Sequence, residues 1–97
     1  MNVFVVRGTC GDNEDVLLGV YKTLEKATAE VYRDFNEYIT EFAEVELEWE
    51  IAEEQRTNCK KWIENTKNSD EPEYRFLWDN NDDFNYACYY VTKMKVE

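Results

Sequence analysis

The stretch EVELEWEI, Glu44–Ile51, alternates a glutamate with an apolar residue four times without a break. As a strand it would line four carboxylates along one face, because successive side chains point to opposite sides. As a helix it would scatter them around a cylinder. The flanks favour the helix. No Gly, Pro, Asp or Ser occurs between Asn36 and Thr57, so no turn signal interrupts this part of the chain. An apolar register at alternating steps of three and four runs through Thr28, Val31, Phe35, Tyr38, Phe42, Val45, Trp49, Ala52, Arg56, Cys59 and Ile63. Nine of these eleven residues are apolar, which is a sustained heptad-like stripe. The strand alternative stays open, since only a strand gathers Val45, Leu47, Trp49 and Ile51 on one side, and a helix leaves Leu47 and Ile51 off the stripe.

Upstream, Thr23 stands before LEKATAEVYRDFNEYITEF as a helix cap, and Glu25 suits the positive end of the helix dipole. A single helix from residue 24 to 66 would be about 64 Å long at 1.5 Å per residue. A domain this small is expected to break it, giving two helices joined near residues 43–47. Lys60, Lys61 and Lys67 follow the glutamates, the order that a helix with an acidic start and a basic end prefers.

On either side of the helical region the pattern turns to strands. Val3–Arg7 and Val16–Lys22 are β-type runs separated by the Gly- and Asp-containing loop GTCGDNED, which predicts an antiparallel hairpin. After the polar connection NTKNSDEPE, Tyr74–Trp78 and Phe84–Val96 read as two further strands around DNNDD. In the last strand Phe84, Tyr86, Cys88, Tyr90, Met94 and Val96 fall on one face, with Thr92 as its one polar member, and this is the face expected in the core. Asn85, Ala87, Tyr89, Val91, Lys93 and Lys95 make up the half-polar reverse. The expected fold is α+β: one antiparallel sheet of about four strands, two N-terminal and two C-terminal, covered on one side by one long or two shorter helices. With 97 residues the chain forms one domain.

Charge narrows the function. Twenty-two acidic residues against eleven basic ones, with no histidine, give a net charge of −11. Such a field repels nucleic acid and anionic membrane and steers the chain toward basic partners in a salt-sensitive way. No segment approaches the roughly 18 apolar residues of a membrane helix, and MNVFVVRGTCG reads as a strand, not a signal peptide. Cys10, Cys59 and Cys88 are odd in number and unrelated in spacing, which fits ordinary thiols in a reducing cytoplasm, with Cys59 and Cys88 read as core residues.

Residues Asn2–Val31 add a resemblance. NVFVVRG, an acidic loop and DVLLGVYKTLEKATAEV resemble a small family of uncharacterised bacterial and phage domains: a strand, an acidic loop, a second strand ending Gly-Val-Tyr, a Ser or Thr cap and an alanine-rich helix. The likeness covers about residues 2–33 and rests on Asp15, Gly19, Val20, Tyr21, Thr23, Glu25 and Ala27. It implies structure only, because the family carries no known catalytic motif. The middle of this chain, about 40–75, is longer and far more acidic than the pattern.

Catalytic constellations are scarce. Without histidine the usual base near neutral pH is lacking, together with triads and most zinc hydrolase sites. No Gly-rich phosphate loop of the GxxxxGK[ST] or GxGxxG type occurs. Asp79, Asn81 and Asp83 match the first oxygen positions of an EF-hand, but Phe84 replaces its glycine and Tyr90 its final glutamate. That loop, like Asp12, Glu14 and Asp15, reads as a turn built from Asx side chains. No metal, cofactor or enzymatic activity is indicated.

What remains is an acidic block with aromatics. Glu41, Glu44, Glu46, Glu48, Glu50, Glu53 and Glu54 are seven glutamates uninterrupted by a basic residue. Whether on a strand or on a helix face through Glu37, Glu41, Glu44 and Glu48, they could imitate the phosphates of a nucleic acid, which lie about 3.4 Å apart along each strand. Trp49 and Trp62 are the candidate anchors, aromatic residues being enriched at interface hot spots. The expected function is therefore that of an acidic binding protein blocking a basic, nucleic-acid-handling partner by charge mimicry, such as a phage-encoded inhibitor of a host defence nuclease or effector complex (an anti-CRISPR, for instance) in the host cytoplasm. The alternative is a homo-oligomeric domain that uses the Val31–Ile63 stripe as a seam with Arg56 as its register device. A third reading is a small-ligand binder on the aromatic sheet face.

Overall fold

The structure, a computed structural model, describes residues 1–10, 15–45, 49–79 and 86–96, with side chains described for all of these except 42–45. Its elements run β1 (Asn2–Cys10), β2 (Val16–Tyr21), α1 (Leu24–Val45), α2 (Trp49–Lys67), β3 (Glu73–Asp79) and β4 (Tyr86–Lys95). The four strands form one antiparallel sheet in the order β2-β1-β4-β3, so the two termini of the chain pair in its centre. One face carries both helices, which is the expected α+β arrangement.

EVELEWEI resolves into the end of one helix and the start of the next. Glu44 and Val45 close α1 and Trp49–Ile51 open α2, while residues 46–48 lie outside the described part. Local chemistry sets the outer ends. Thr23 caps α1, its Oγ1 accepting from the Lys26 amide at 3.2 Å and its carbonyl from Ala27 at 3.2 Å. Beyond α2 the Tyr74 hydroxyl pins the connection, donating to the Ser69 carbonyl at 2.8 Å and accepting from the Glu71 amide at 3.0 Å.

Much of the apolar stripe lies on the inner face of the two helices, although Trp49 is exposed and the side chains of Phe42 and Val45 lie outside the described residues. Val31, Phe35, Ala52 and Cys59 are fully buried, and Thr28 nearly so, its hydroxyl returned to the Leu24 carbonyl at 3.0 Å. Arg56, on the same stripe, sets the register within the chain. Its Nε donates to Asn36 at 2.7 Å and its guanidinium also reaches Thr40 at 2.6 Å and Glu53. One turn further along, the Lys60 ammonium sits 5.4 Å from the centre of the Tyr32 ring. Partners that descend along α1 as they ascend along α2 make the pair an antiparallel hairpin. Of the stripe's described residues, Trp49 is the exposed one.

Phe35 is the centre of the core. Its ring lies edge-on to Phe76 at 5.0 Å and Tyr89 at 6.3 Å, and tilted against Trp78 at 6.3 Å. Tyr74, Phe76 and Trp78 alternate perfectly with exposed residues along β3, so the partner positions on β4 are dictated by register: Val91, Tyr89 and Ala87.

That register inverts the expected face of β4. Ala87, Tyr89 and Val91 are fully buried, whereas Tyr86, Cys88 and Tyr90 are only half covered and Met94 is exposed. The half-polar face carries Lys93 and Lys95, which makes it look like the outer one. Both lie past the end of the helical cover, where Lys93 pairs with Asp70 and its backbone amide bonds to the Pro72 carbonyl at 2.9 Å. Only the covered part of the strand has to be apolar. Cys59 is buried as expected, but Cys88 belongs to the outer face. Gly8 is needed for the same packing, since a Cβ there would stand 2.7 Å from the Tyr89 ring.

Candidate functional site

The antiparallel pairing places both ends of the acidic block at one tip of the helical hairpin. Residues 34–55 hold nine acidic side chains and no basic one. Lys22 and Lys26 flank the start of α1, and Lys60, Lys61 and Lys67 lie along the end of α2, so the lysines collect toward the opposite end of the pair, with Arg33 and Arg56 between them and the tip. The helical layer is thus polarised from a negative tip to a mixed base.

At the tip, Glu41 is exposed on the last part of α1 one turn beyond Glu37, which is itself paired with Arg33 at 3.2 Å. Glu50, Glu53 and Glu54 are exposed on the first turns of α2 at spacings of three and four, and share one side of that helix. Glu53 is tied to Arg56, whose guanidinium is otherwise turned inward to α1. Glu46 and Glu48 lie outside the described residues, as does the side chain of Glu44. Four of the seven glutamates proposed from sequence are therefore seen, all on the surface.

The two tryptophans separate. Trp49 opens α2 with 56 % of its surface exposed, and Ile51, two residues on and turned to a different side of the helix, is 38 % exposed. Trp62 is half-buried and packs on Phe76 with ring centres 5.5 Å apart, as part of the wall between α2 and β3. Trp49 is available as an anchor, and Trp62 is occupied by the core.

A second cluster, hidden from sequence reasoning, lies at the end of the sheet nearest the hairpin's midpoint. The Tyr89 hydroxyl donates to Asp34 at 2.7 Å, and its oxygen is 2.9 Å from the Cys10 sulfur. Burial and the neighbouring carboxylate hold both groups protonated: the Cys10 thiol is pushed up to about 11, and the Tyr89 phenol is raised well above its ordinary value. A thiol in that state is a poor nucleophile, so the cluster acts as a polar clamp between α1, β1 and β4. Only the pairing of β1 with β4 brings Cys10 and Tyr89 together, 79 residues apart in sequence.

Among the described residues no group of His, Cys, Asp or Glu could hold a metal ion, and no helix is long and apolar enough to cross a membrane. Asn81 and Asp83 of the DNNDD loop, and Asp12 and Glu14 of the first loop, lie outside the described residues; Asp15 pairs with Arg7. Compared with protein-family models, curated proteins and solved structures, the chain matches none of them.

Proposed function

We propose that this protein is a non-enzymatic binding module whose acidic hairpin tip occupies the cationic groove of a nucleic-acid-handling protein and competes there with the nucleic acid. The observation that carries this reading is the tip itself. Exposed glutamates lie on two adjoining helix ends together with the exposed Trp49, and the lysines of the helical layer lie toward the far end. Carboxylates would supply long-range steering and Trp49 the desolvated contact, the division of labour expected between a charged rim and an aromatic anchor. A phage-encoded inhibitor of a host defence nuclease or effector complex is the concrete form of this proposal.

The test is capture of partners from bacterial lysate on the immobilised protein, followed by displacement with DNA and with salt. A basic protein released by DNA, and no longer held by the combined Glu50→Gln, Glu53→Gln, Glu54→Gln and Trp49→Ala variant, is the expected result. Capture that survives both the substitutions and moderate salt overturns the proposal.

A further inference from the structure

The sheet face opposite the helices is bare among the described residues, and its composition departs from the rest of the molecule. Register places Val20, Val5, Thr92 and Glu73 in one row across the four strands, and Leu17, Arg7, Tyr90 and Arg75 in the next. A bulge in β2 opposite Val6 and Arg7 creates this surface. The extra residue, Leu18, turns toward the core with Gly19, and the rephased strand presents both Leu17 and Val20 outward. Leu17 is 62 % exposed, Val20 56 %, and Leu77 and Met94 52 % each. Arg7 and Arg75 of the strands stand on this face against Glu73 and Asp79, and Asp15, bonded to Arg7, brings the balance to −1 in a chain of net charge −11.

We infer that this face is a self-association surface and that its occupant is a second copy of the same chain, packed sheet against sheet. Two observations select that occupant. First, copies that each carry −11 approach with least repulsion where acids and bases nearly balance, and this face, at −1, is such a surface. Second, the central row is complementary to its own reverse. A two-fold axis along the strands, between β1 and β4, turns Leu17–Arg7–Tyr90–Arg75 over onto Arg75–Tyr90–Arg7–Leu17. Arg7 of each copy, its guanidinium also held by Asp15, then faces the second copy's Tyr90, a reciprocal cation–ring contact of the kind a two-fold interface uses. Aligned sheets about 10 Å apart interdigitate such rows.

The area is adequate for a weak dimer. Four strands about 4.8 Å apart and seven residues of about 3.4 Å give a face of roughly 450 Å² in projection. Two such faces approach the roughly 1,000 Å² that a specific interface clears. Association is therefore concentration-dependent, and added salt strengthens it by screening the repulsion between the two acidic copies. The inference is independent of the hairpin tip, which points away from this face.

Sedimentation equilibrium over a wide concentration range, at low and high salt, tests it. The expected mass rises from that of one 11.7 kDa copy toward two, and does so at lower concentration in high salt. Leu17→Lys with Val20→Lys changes the net charge from −11 to −9, so global repulsion falls, yet association weakens about tenfold or more because apolar contact is lost. Leu77→Lys with Met94→Lys, on the other two strands, gives the same result and guards against a local folding defect in β2, with circular dichroism confirming the native fold of both. A mass that stays at one copy at high concentration and high salt overturns the inference. So does a dimer that persists in both lysine pairs, or one abolished by glutamine at Glu50, Glu53 and Glu54.

Discussion

The hairpin tip and the bare sheet face are both uncovered, and they are opposite in kind. At the tip, exposed carboxylates share two helix ends with one exposed indole. On the sheet, valine, leucine, methionine and tyrosine lie around charges that nearly cancel. The difference teaches that net charge is a poor guide to any single surface: a chain of −11 can still keep one face close to neutral. It also separates two kinds of contact by their response to salt. Binding through the tip weakens as ions are added, and association through the sheet strengthens.

Both surfaces depend on the layer between them, so the largest expected effect is there. Phe35→Ala removes the ring around which Phe76, Trp78 and Tyr89 are arranged, and should cost about 3–5 kcal/mol of stability in denaturant unfolding. Loss of tip and sheet binding together in that variant would show that one clamp serves both. Tyr89→Phe is the subtler break. It leaves Asp34 and Cys10 without their shared hydroxyl, and should cost about 1–3 kcal/mol. Arg56→Ala uncouples α2 from Asn36 and Thr40 at a similar cost of about 1–3 kcal/mol, but it should loosen the tip while sparing the sheet dimer.

The pH response distinguishes the clamp from the surfaces. Cys10 and Cys59 are raised by burial, to about 11 and about 12, and Tyr89 is raised further. In the unfolded chain these groups ionise at lower pH, so that state binds fewer protons in alkali and stability falls as pH rises. Stability should therefore hold below about pH 8.5, the ordinary thiol value, and fall steadily as pH rises toward 11 and 12. Thermal unfolding across that window checks the sign.

The smallest effect belongs to the tip. Glutamine at Glu50, Glu53 and Glu54 removes like-charge neighbours at i,i+3 and i,i+4, and one weak pair to Arg56. Stability should change by no more than about 0.5 kcal/mol. If partner capture collapses while stability is unchanged, the carboxylates serve binding and not the fold.

Strong periodicity made the helical region legible. The Thr28–Ile63 stripe predicts the inner face of both helices, Thr23 predicts the cap, and turn residues mark the hairpin. The expected joint near 43–47 overlaps the end of α1 at Val45. β4 was not legible in the same way. Two lysines at its end weighed against the face that is buried, and nothing local told that the helical cover stops short of them. Spacing also misplaces the tryptophans: Trp49 lies on the stripe yet is exposed, and Trp62, off the stripe, is half-buried because β3 lies beneath it.

By itself, then, the sequence determined the layer architecture, the helix faces and the acidic block, because these follow from periods of 2 and 3.6 and from the order of charges along the chain. Only the tertiary structure decided which side of β4 is buried, that Arg56 registers the helices against one another, and that Cys10, Asp34 and Tyr89 meet. Each of these rests on the pairing of segments distant in the chain, whose mutual register no local pattern carries.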